Sequence, residues 1–227
     1  VWNDELYLEL HRGTYTSEAW LKRANRKAEI ALHNLEFLAS LAWLEGTDYP
    51  AESLQELWQL LCLNQFHDIL PGTAIAQVFE DCRRDHDHIR AVCDQLIREA
   101  VTALDYGCDI AVNATSFASS GLIQTAEGLT AIEPLPSYSV GPIKPIEPRS
   151  NVTAQLLPDG GALLENDFLR VELSAQGELN SLYSKTLERE ALAEGQTGNQ
   201  LWLFEDRPLV WDAWDIEAYI EDRSEHL

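Results

Sequence analysis

Leu21, Ala24, Ala28, Ala31, Leu35, Leu38 and Ala42 recur at alternating steps of three and four residues. Only a helix returns side chains to one face at that rate, so the stripe predicts a helix from Ser17 to about Leu44 with one long buried seam. Thr16 or Ser17 can cap its start and Gly46 can stop it. The alanines early in the stripe let a neighbouring helix come close. Pro50 opens a second helical run with Leu54, Leu57, Trp58 and Leu61 on one side. That run reaches the polar string Asn64-Gln65-Phe66-His67-Asp68 and breaks at Pro71-Gly72. A third run carries Ile75, Val78, Phe79, Cys82, Ile89, Val92, Leu96, Ala100 and Leu104 at helical spacing. Three long helices with short joints pack most naturally as an antiparallel bundle.

Past Tyr106-Gly107 the pattern changes. Cys108 to Asn113, Gly121 to Thr125, Tyr138 to Ile143 and Val152 to Leu157 read as short strands separated by Gly, Pro, Ser and Asn. Leu169 to Leu173 alternates apolar and polar, and Glu178 to Tyr183 follows a Gln176-Gly177 turn, which predicts a hairpin with one buried face. Pro136 to Arg149 holds four of the nine prolines and reads as an edge or linker. No long helix intervenes, so an antiparallel sandwich is favoured. The expected fold class is α+β and multidomain: a three-helix antiparallel bundle followed by part of an antiparallel β-sandwich.

With 16 Lys and Arg against 38 Asp and Glu, the formal charge is −22. Such a surface repels phosphates, which argues against nucleic acid and anionic membranes as partners. No apolar run approaches the roughly 20 residues of a membrane span, and no signal peptide is evident. The four cysteines, at positions 62, 82, 93 and 108, form no CxxC pair and read as buried or half-buried thiols in a reducing compartment. Methionine is absent and Val1 opens directly onto dense sequence, so the chain is expected to be a piece of something longer.

The string Asn64 to Asp68 is the most unusual stretch, because it sets polar groups where the second helix should be most buried. Neutral imidazole is a good zinc ligand, and the carboxylate of Asp68 could orient a ligand or grip a sugar hydroxyl. A helix-ending histidine satisfied by its neighbours fits the spacing too. His86 and His88, two apart on a helix, point in different directions and read as a solvated face. Arg12 precedes a loop into the first helix and could hold sugar oxygens or a structural carboxylate. Trp211-Asp212-Ala213-Trp214-Asp215 alternates rings with acids, which suits a carbohydrate surface or, equally, the filling of a sandwich core. No P-loop, GxGxxG, GxSxG or HExxH is present.

With these residues laid out, the chain resembles the family 38 glycoside hydrolases, the retaining α-mannosidases. The matching stretches are Glu5 to Glu9, His11 to Ser17, Lys22 to Arg26, Asn64 to Thr73, Leu164 to Phe168, Phe204 to Asp206 and Trp211 to Asp215. The likeness spans nearly the whole chain and is weakest between about Ser116 and Leu135. It implies that residues 1–16 connect from an absent catalytic barrel, 17–105 form the central helical domain and 106–227 begin the β domain. By the resemblance, His67 is one zinc ligand, Asp68 touches the mannose, and Arg12, Asp212 and Trp214 are substrate-side candidates. The implied chemistry is double displacement through a covalent mannosyl-enzyme, with zinc holding sugar hydroxyls. The nucleophile and acid belong to the barrel, so no catalytic residue is expected in this chain and it should be inactive alone. Phe66 stands where many secreted relatives carry a second histidine, which resembles the bacterial and cytosolic branch. The resemblance thus implies a cytoplasmic enzyme acting on mannose-containing oligosaccharides, partnered by its own barrel, with a homo-oligomer left open. In such a compartment the sequons Asn113-Ala114-Thr115 and Asn151-Val152-Thr153 stay bare. A non-catalytic sugar-binding module and a purely structural interaction module are the competing readings.

Overall fold

The computed structural model describes residues 11–126, 128–147 and 152–227. Residues 1–10, the larger part of the expected connection, therefore lie outside the described residues, as do Asn151 and the end of the proline-rich stretch. Three helices open the described chain: α1 (Ala19–Leu44), α2 (Ala51–Asn64) and α3 (Ala76–Ala103). Eleven short strands follow, β1 (Ile110–Asn113), β2 (Ser119–Thr125), β3 (Gly128–Leu135), β4 (Ser139–Pro142), β5 (Thr153–Leu156), β6 (Ala162–Glu165), β7 (Leu169–Leu173), β8 (Leu179–Ser184), β9 (Arg189–Glu190), β10 (Trp202–Phe204) and β11 (Ser224–His226). Every strand pairing is antiparallel, and the α+β class expected from the sequence is the one observed.

α1 ends where Gly46 predicts. Gly46 sits at φ +99°, its N–H donates to the Trp43 carbonyl, and the Thr47 N–H donates to that of Ala42. Those two bonds close a Schellman motif, for which glycine carries the left-handed turn at no steric cost. The start differs from expectation. Glu18 occupies the N-cap position in a left-handed conformation without a side-chain cap, and the Ser17 hydroxyl bonds elsewhere. The buried seam also differs. It runs through Leu21, Asn25, Ala28, Leu32, Leu35, Ala39 and Ala42 with Leu38 buried beside it, so five of the seven expected positions are buried and only Ala24 and Ala31 are half-buried. The spacing still alternates between four and three, but α1 packs on both α2 and α3, which shifts and widens the face beyond a two-helix seam. Leu32, Leu35, Leu54, Leu57, Leu61, Ile89 and Cys93 form the shared core. A second cluster gathers Leu21, Phe79 and Cys82 and is sealed by Ile69 and Leu70 from the turn after α2.

His86 corrects the sequence reading. It is 8% exposed and lies on the seam Phe79, Cys82, His86, Ile89, Cys93, whose steps are three and four. Only His88 is on the solvated face. The cysteines also divide: Cys82 and Cys93 are buried as expected, whereas Cys62 and Cys108 are exposed, and all four are free.

The chain forms two compact units, one up to Pro145 and again from Arg207 to Glu217, the other from Ile146 to Asp206 and from Ala218 onward. The units thus cut the chain differently from the change of pattern at 105/106. In the first, β1 pairs with β4 and β2 with β3. Asn113 is 5% exposed, and its side-chain amide donates to the carbonyls of Phe117, Leu135 and Pro136 at 2.7–3.1 Å. A nitrogen so engaged and buried is not a glycan acceptor, so this sequon is structural.

In the second unit β5 to β9 form a five-stranded meander, and β10 pairs with β11. The β7–β8 hairpin is as predicted, with Gly177 at φ +87° in its turn. Its expected buried face is not found: β7 and β8 are at most half-buried, and no apolar side chain of this unit is buried among the described residues. Within this unit the inward half of the alternation, Val171 and Leu173, is only partly covered. The far edge is tied by Glu190, which accepts from the Ser181 hydroxyl at 2.6 Å and from three backbone N–H groups at 2.8–3.0 Å. Those donors, Ser181 first, hold its carboxyl down to about 2.

Burial pushes the Cys93 thiol up to about 11, and the neighbouring Asp94 adds to the shift. Thiolates are the reactive form, so the four cysteines should label in two classes. With an aromatic disulfide reagent at neutral pH, Cys62 and Cys108 should react within minutes, and Cys82 and Cys93 only after denaturant is added. Rapid labelling of all four in the folded chain would contradict the helical core described here.

Candidate functional site

The turn after α2 begins from a helix end pinned by buried polar groups. Asn64 is 1% exposed, and its amide donates to the Leu60 carbonyl at 3.0 Å and to Asp85 Oδ2 on α3 at 2.9 Å. Gln65 Nε2 donates to Asn25 Oδ1 and to Glu29 Oε1 on α1, each at 2.9 Å. Asn25 Nδ2 donates to the same Glu29 oxygen at 3.0 Å. The polar half of the string is therefore structural: it joins α2 to both neighbours. The other half is presented outward.

His67 and Asp68 follow on the turn with their side chains 77% and 54% exposed, and His67 Nε2 lies 3.6 Å from Asp68 Oδ2. The Phe66 ring sits beside the imidazole with centroids 4.3 Å apart. Backbone bonds from Ile69 and Leu70 to the Phe66 carbonyl fold the turn, and the Thr73 hydroxyl donates to the Asp68 carbonyl. Gly72 closes it at φ +88°, where a Cβ would meet the Ser17 carbonyl oxygen at 2.6 Å.

Ser17 is also the meeting point of a third segment. Its hydroxyl donates to the carbonyls of Gly13 and Ala213 at 2.9 and 2.8 Å. The Gly13 N–H donates to the Trp214 carbonyl at 2.7 Å, and the His11 N–H to Asp215 Oδ1 at 2.5 Å. The His11 ring packs on Trp214 with centroids 4.7 Å apart. Residues 11–17, the 66–73 turn and 211–215 are thus tied together, although nearly two hundred residues separate the first from the last. Trp211–Asp215 was expected in the sandwich; it packs in the first unit. Of the candidates there, Arg12 is half-buried and engaged within the fold, Trp214 is half-buried, and Asp212 is exposed.

Among the described residues no three His, Cys, Asp or Glu side chains gather in a way that could hold a metal ion. A cavity of about 1000 Å³ lies away from this turn, between α1 and the strands, where His33, Phe117, Ile132 and Tyr138 line it. None of Arg12, His67, Asp68, Asp212 or Trp214 borders it.

Residues 9–104 match the profile of the alpha mannosidase middle domain, and 164–227 match that of the glycosyl hydrolases family 38 C-terminal domain. The chain belongs to glycosyl hydrolase family 38. It is 38% identical to mouse Alpha-mannosidase 2C1 and 39% to the human protein of that name, each over 96% of this chain. It is 33% identical to an Alpha-mannosidase of Saccharomyces cerevisiae over all of this chain. The chain spans only 23%, 23% and 20% of those three relatives. A crystal structure of a family 38 protein from Enterococcus faecalis superposes on 86% of this chain with TM-score 0.62 at 16% identity, and that coverage is 35% of its own length. An alpha-mannosidase structure from E. faecalis V583 superposes equally well, at 15% identity.

Within this family 38 chain, sequence reasoning missed Asn25, Glu29 and Asp85 as partners of the Asn64-Gln65 pair. One signal was available: Asn25 sits among apolar residues at the seam's own spacing. Two variants test the geometry. Gly72→Ala should lose about 2–4 kcal/mol in urea unfolding, since it combines a left-handed φ with a backbone clash. Gly107→Ala, at φ +66° in open space, should lose only about 1 kcal/mol. Glu29→Ala leaves the buried Asn25 amide without its acceptor and removes one of the two acceptors of half-buried Gln65, and should cost about 1–3 kcal/mol in the same assay. A loss under ~0.3 kcal/mol would mean that the network carries no weight.

Proposed function

We propose that this chain is the part of a zinc-dependent, retaining α-mannosidase that supplies one zinc ligand and one substrate contact. The observation that carries this reading is the outward pair His67 and Asp68, held on a Gly72-anchored turn inside the stretch that matches the α-mannosidase middle domain. All three relatives described bear α-mannosidase names, which supports the same activity for the whole protein.

The donor set fits a shared site and not a complete one. An exposed neutral imidazole with an adjacent carboxylate offers part of the roughly four ligands zinc takes, and the rest would come from the catalytic barrel. Bound there, zinc would supply Lewis-acid contact to mannose hydroxyls. His67 would hold the metal, Asp68 would accept a sugar O–H, and the Phe66 ring beside the imidazole would limit its rotation. Arg12, Asp212 and Trp214 would flank the sugar-facing surface. Trp214 offers a ring for a sugar face, Asp212 an acceptor for hydroxyls, and Arg12 a donor fork.

In this reading residues 1–16 connect from the barrel, 17–105 are the middle domain and 106–227 begin the β domain. The nucleophile and acid of the double displacement lie in the barrel, so the chain alone is inactive. The substrate is a mannose-containing oligosaccharide. A charge of −22 disfavours nucleic acid and anionic membranes, and no described helix is long and apolar enough to cross a membrane. Four free thiols support a cytoplasmic location.

The test uses the full-length protein. His67→Ala should lose zinc on dialysis and lower kcat/KM on an aryl α-mannoside at least about a hundred-fold. Asp68→Asn should keep its zinc and lose about 10–100-fold in kcat/KM, because only a contact to the sugar is removed. Full zinc content with normal turnover in His67→Ala would return this residue to a simple helix-end role.

A further inference from the structure

A second site lies on the bundle, in the cleft between α1 and α3. It is a cavity of about 250 Å³ lined by Trp20, Arg23, Ala24, Lys27, Ala28, Ala31, His86, Asp87 and Arg90. Three alanines at helical spacing keep it open, because their side chains stop short of α3. Three cations face one carboxylate, an unusual balance in a chain of net charge −22. Arg23 and Lys27 meet no carboxylate among the described residues. Arg90 is paired to Asp87 at 3.1 Å, but both side chains are at least 70% exposed, so that pair is weak and readily rearranged. Trp20 contributes a flat wall, with the Arg83 guanidinium 3.9 Å from the ring centroid.

His86 forms one wall of the cavity. It is 8% exposed, yet neither ring nitrogen has a hydrogen-bond partner among the described residues. Burial favours its neutral form against the pull of Asp85 and Asp87. A neutral imidazole carries one donor and one acceptor, and buried ones are nearly always satisfied. Neither nitrogen is open to water, so the imidazole presents its carbon edge to the cavity.

We propose that this cavity binds a small phosphate monoester with a flat apolar body. Two net positive charges match the dianion of a monoester near neutral pH. Arg23 and Lys27, one turn apart on α1, and Arg90 on α3 bracket the phosphate, with Arg supplying paired N–H donors. The apolar body lies over Ala24, Ala28 and Ala31, between the Trp20 ring and the edge of the His86 imidazole. At 250 Å³ the space is just below the usual range for small-molecule pockets, so the ligand is of single-ring size. This site is separate from the His67 turn and does not depend on the α-mannosidase reading.

The test is calorimetric titration of the full-length protein with phenyl phosphate, beside inorganic phosphate and phenol. Phenyl phosphate should bind saturably and at least about ten-fold tighter than either control. The surface double variant Arg23→Ser/Lys27→Ser should weaken it by about ten-fold or more with unchanged circular dichroism. Ala24→Leu, which fills the floor from a half-buried position, should weaken phenyl phosphate and leave inorganic phosphate unaffected. No saturable binding at millimolar phenyl phosphate, equal affinity for inorganic phosphate, or equal affinity in the double variant would each overturn the proposal.

Discussion

The hydrogen bonds that Asn64 and Gln65 make to Asp85, Asn25 and Glu29 are what the functional turn depends on. Apolar packing alone brings three helices together, but it tolerates small rotations and slides. Amide and carboxylate groups buried at a helix end do not, because each donor needs one acceptor at one distance and an unmet donor costs about 1–3 kcal/mol. The network therefore fixes how far α2 runs and in which direction the chain leaves it. His67 and Asp68 inherit that direction.

The second constraint is close backbone approach. Gly72 lets the turn press on Ser17, and Gly13 lets residues 211–215 press on the entry to α1, where a Cβ would sit 3.0 Å from the Trp214 carbonyl carbon. Ile69 and Leu70 then seal the cluster around Leu21, Phe79 and Cys82. Exposure of the imidazole and rigidity of its support thus coexist. A side chain that is to meet a ligand from elsewhere has to be solvent-facing, and only the turn's backbone and its apolar flank are left to hold it.

Much of this was legible in the residues. The three helices, the glycine stop after α1, the β7–β8 hairpin and the stretch Asn64 to Thr73 all follow from periodicity and from turn chemistry. Strands such as β3 and β6 were not legible. β6 has only four residues and β3, though eight long, lacks clean alternation and contains Pro134, so their pairing rests on register with neighbours and not on local preference. Five of the seven stripe positions of α1 are buried, and only Ala24 and Ala31 give way to Asn25 and Leu32, because a stripe does not say how many helices will pack on it. His86 reads as solvated when it is paired with His88 two residues on, while its spacing from Cys82 and Ile89 places it inside.

By itself the sequence determined the local grammar: where helices start and stop, which residues turn the chain, and which polar string breaks an apolar face. Each depends on interactions over a few residues, which composition and spacing encode directly. Tertiary structure alone decided that Asn113 is a buried amide and not a glycan acceptor. It also brought residues 211–215 back to the start of α1 and opened a cation-lined cleft around an unsatisfied histidine. Those outcomes depend on contacts between residues dozens to hundreds apart, and no local pattern carries them.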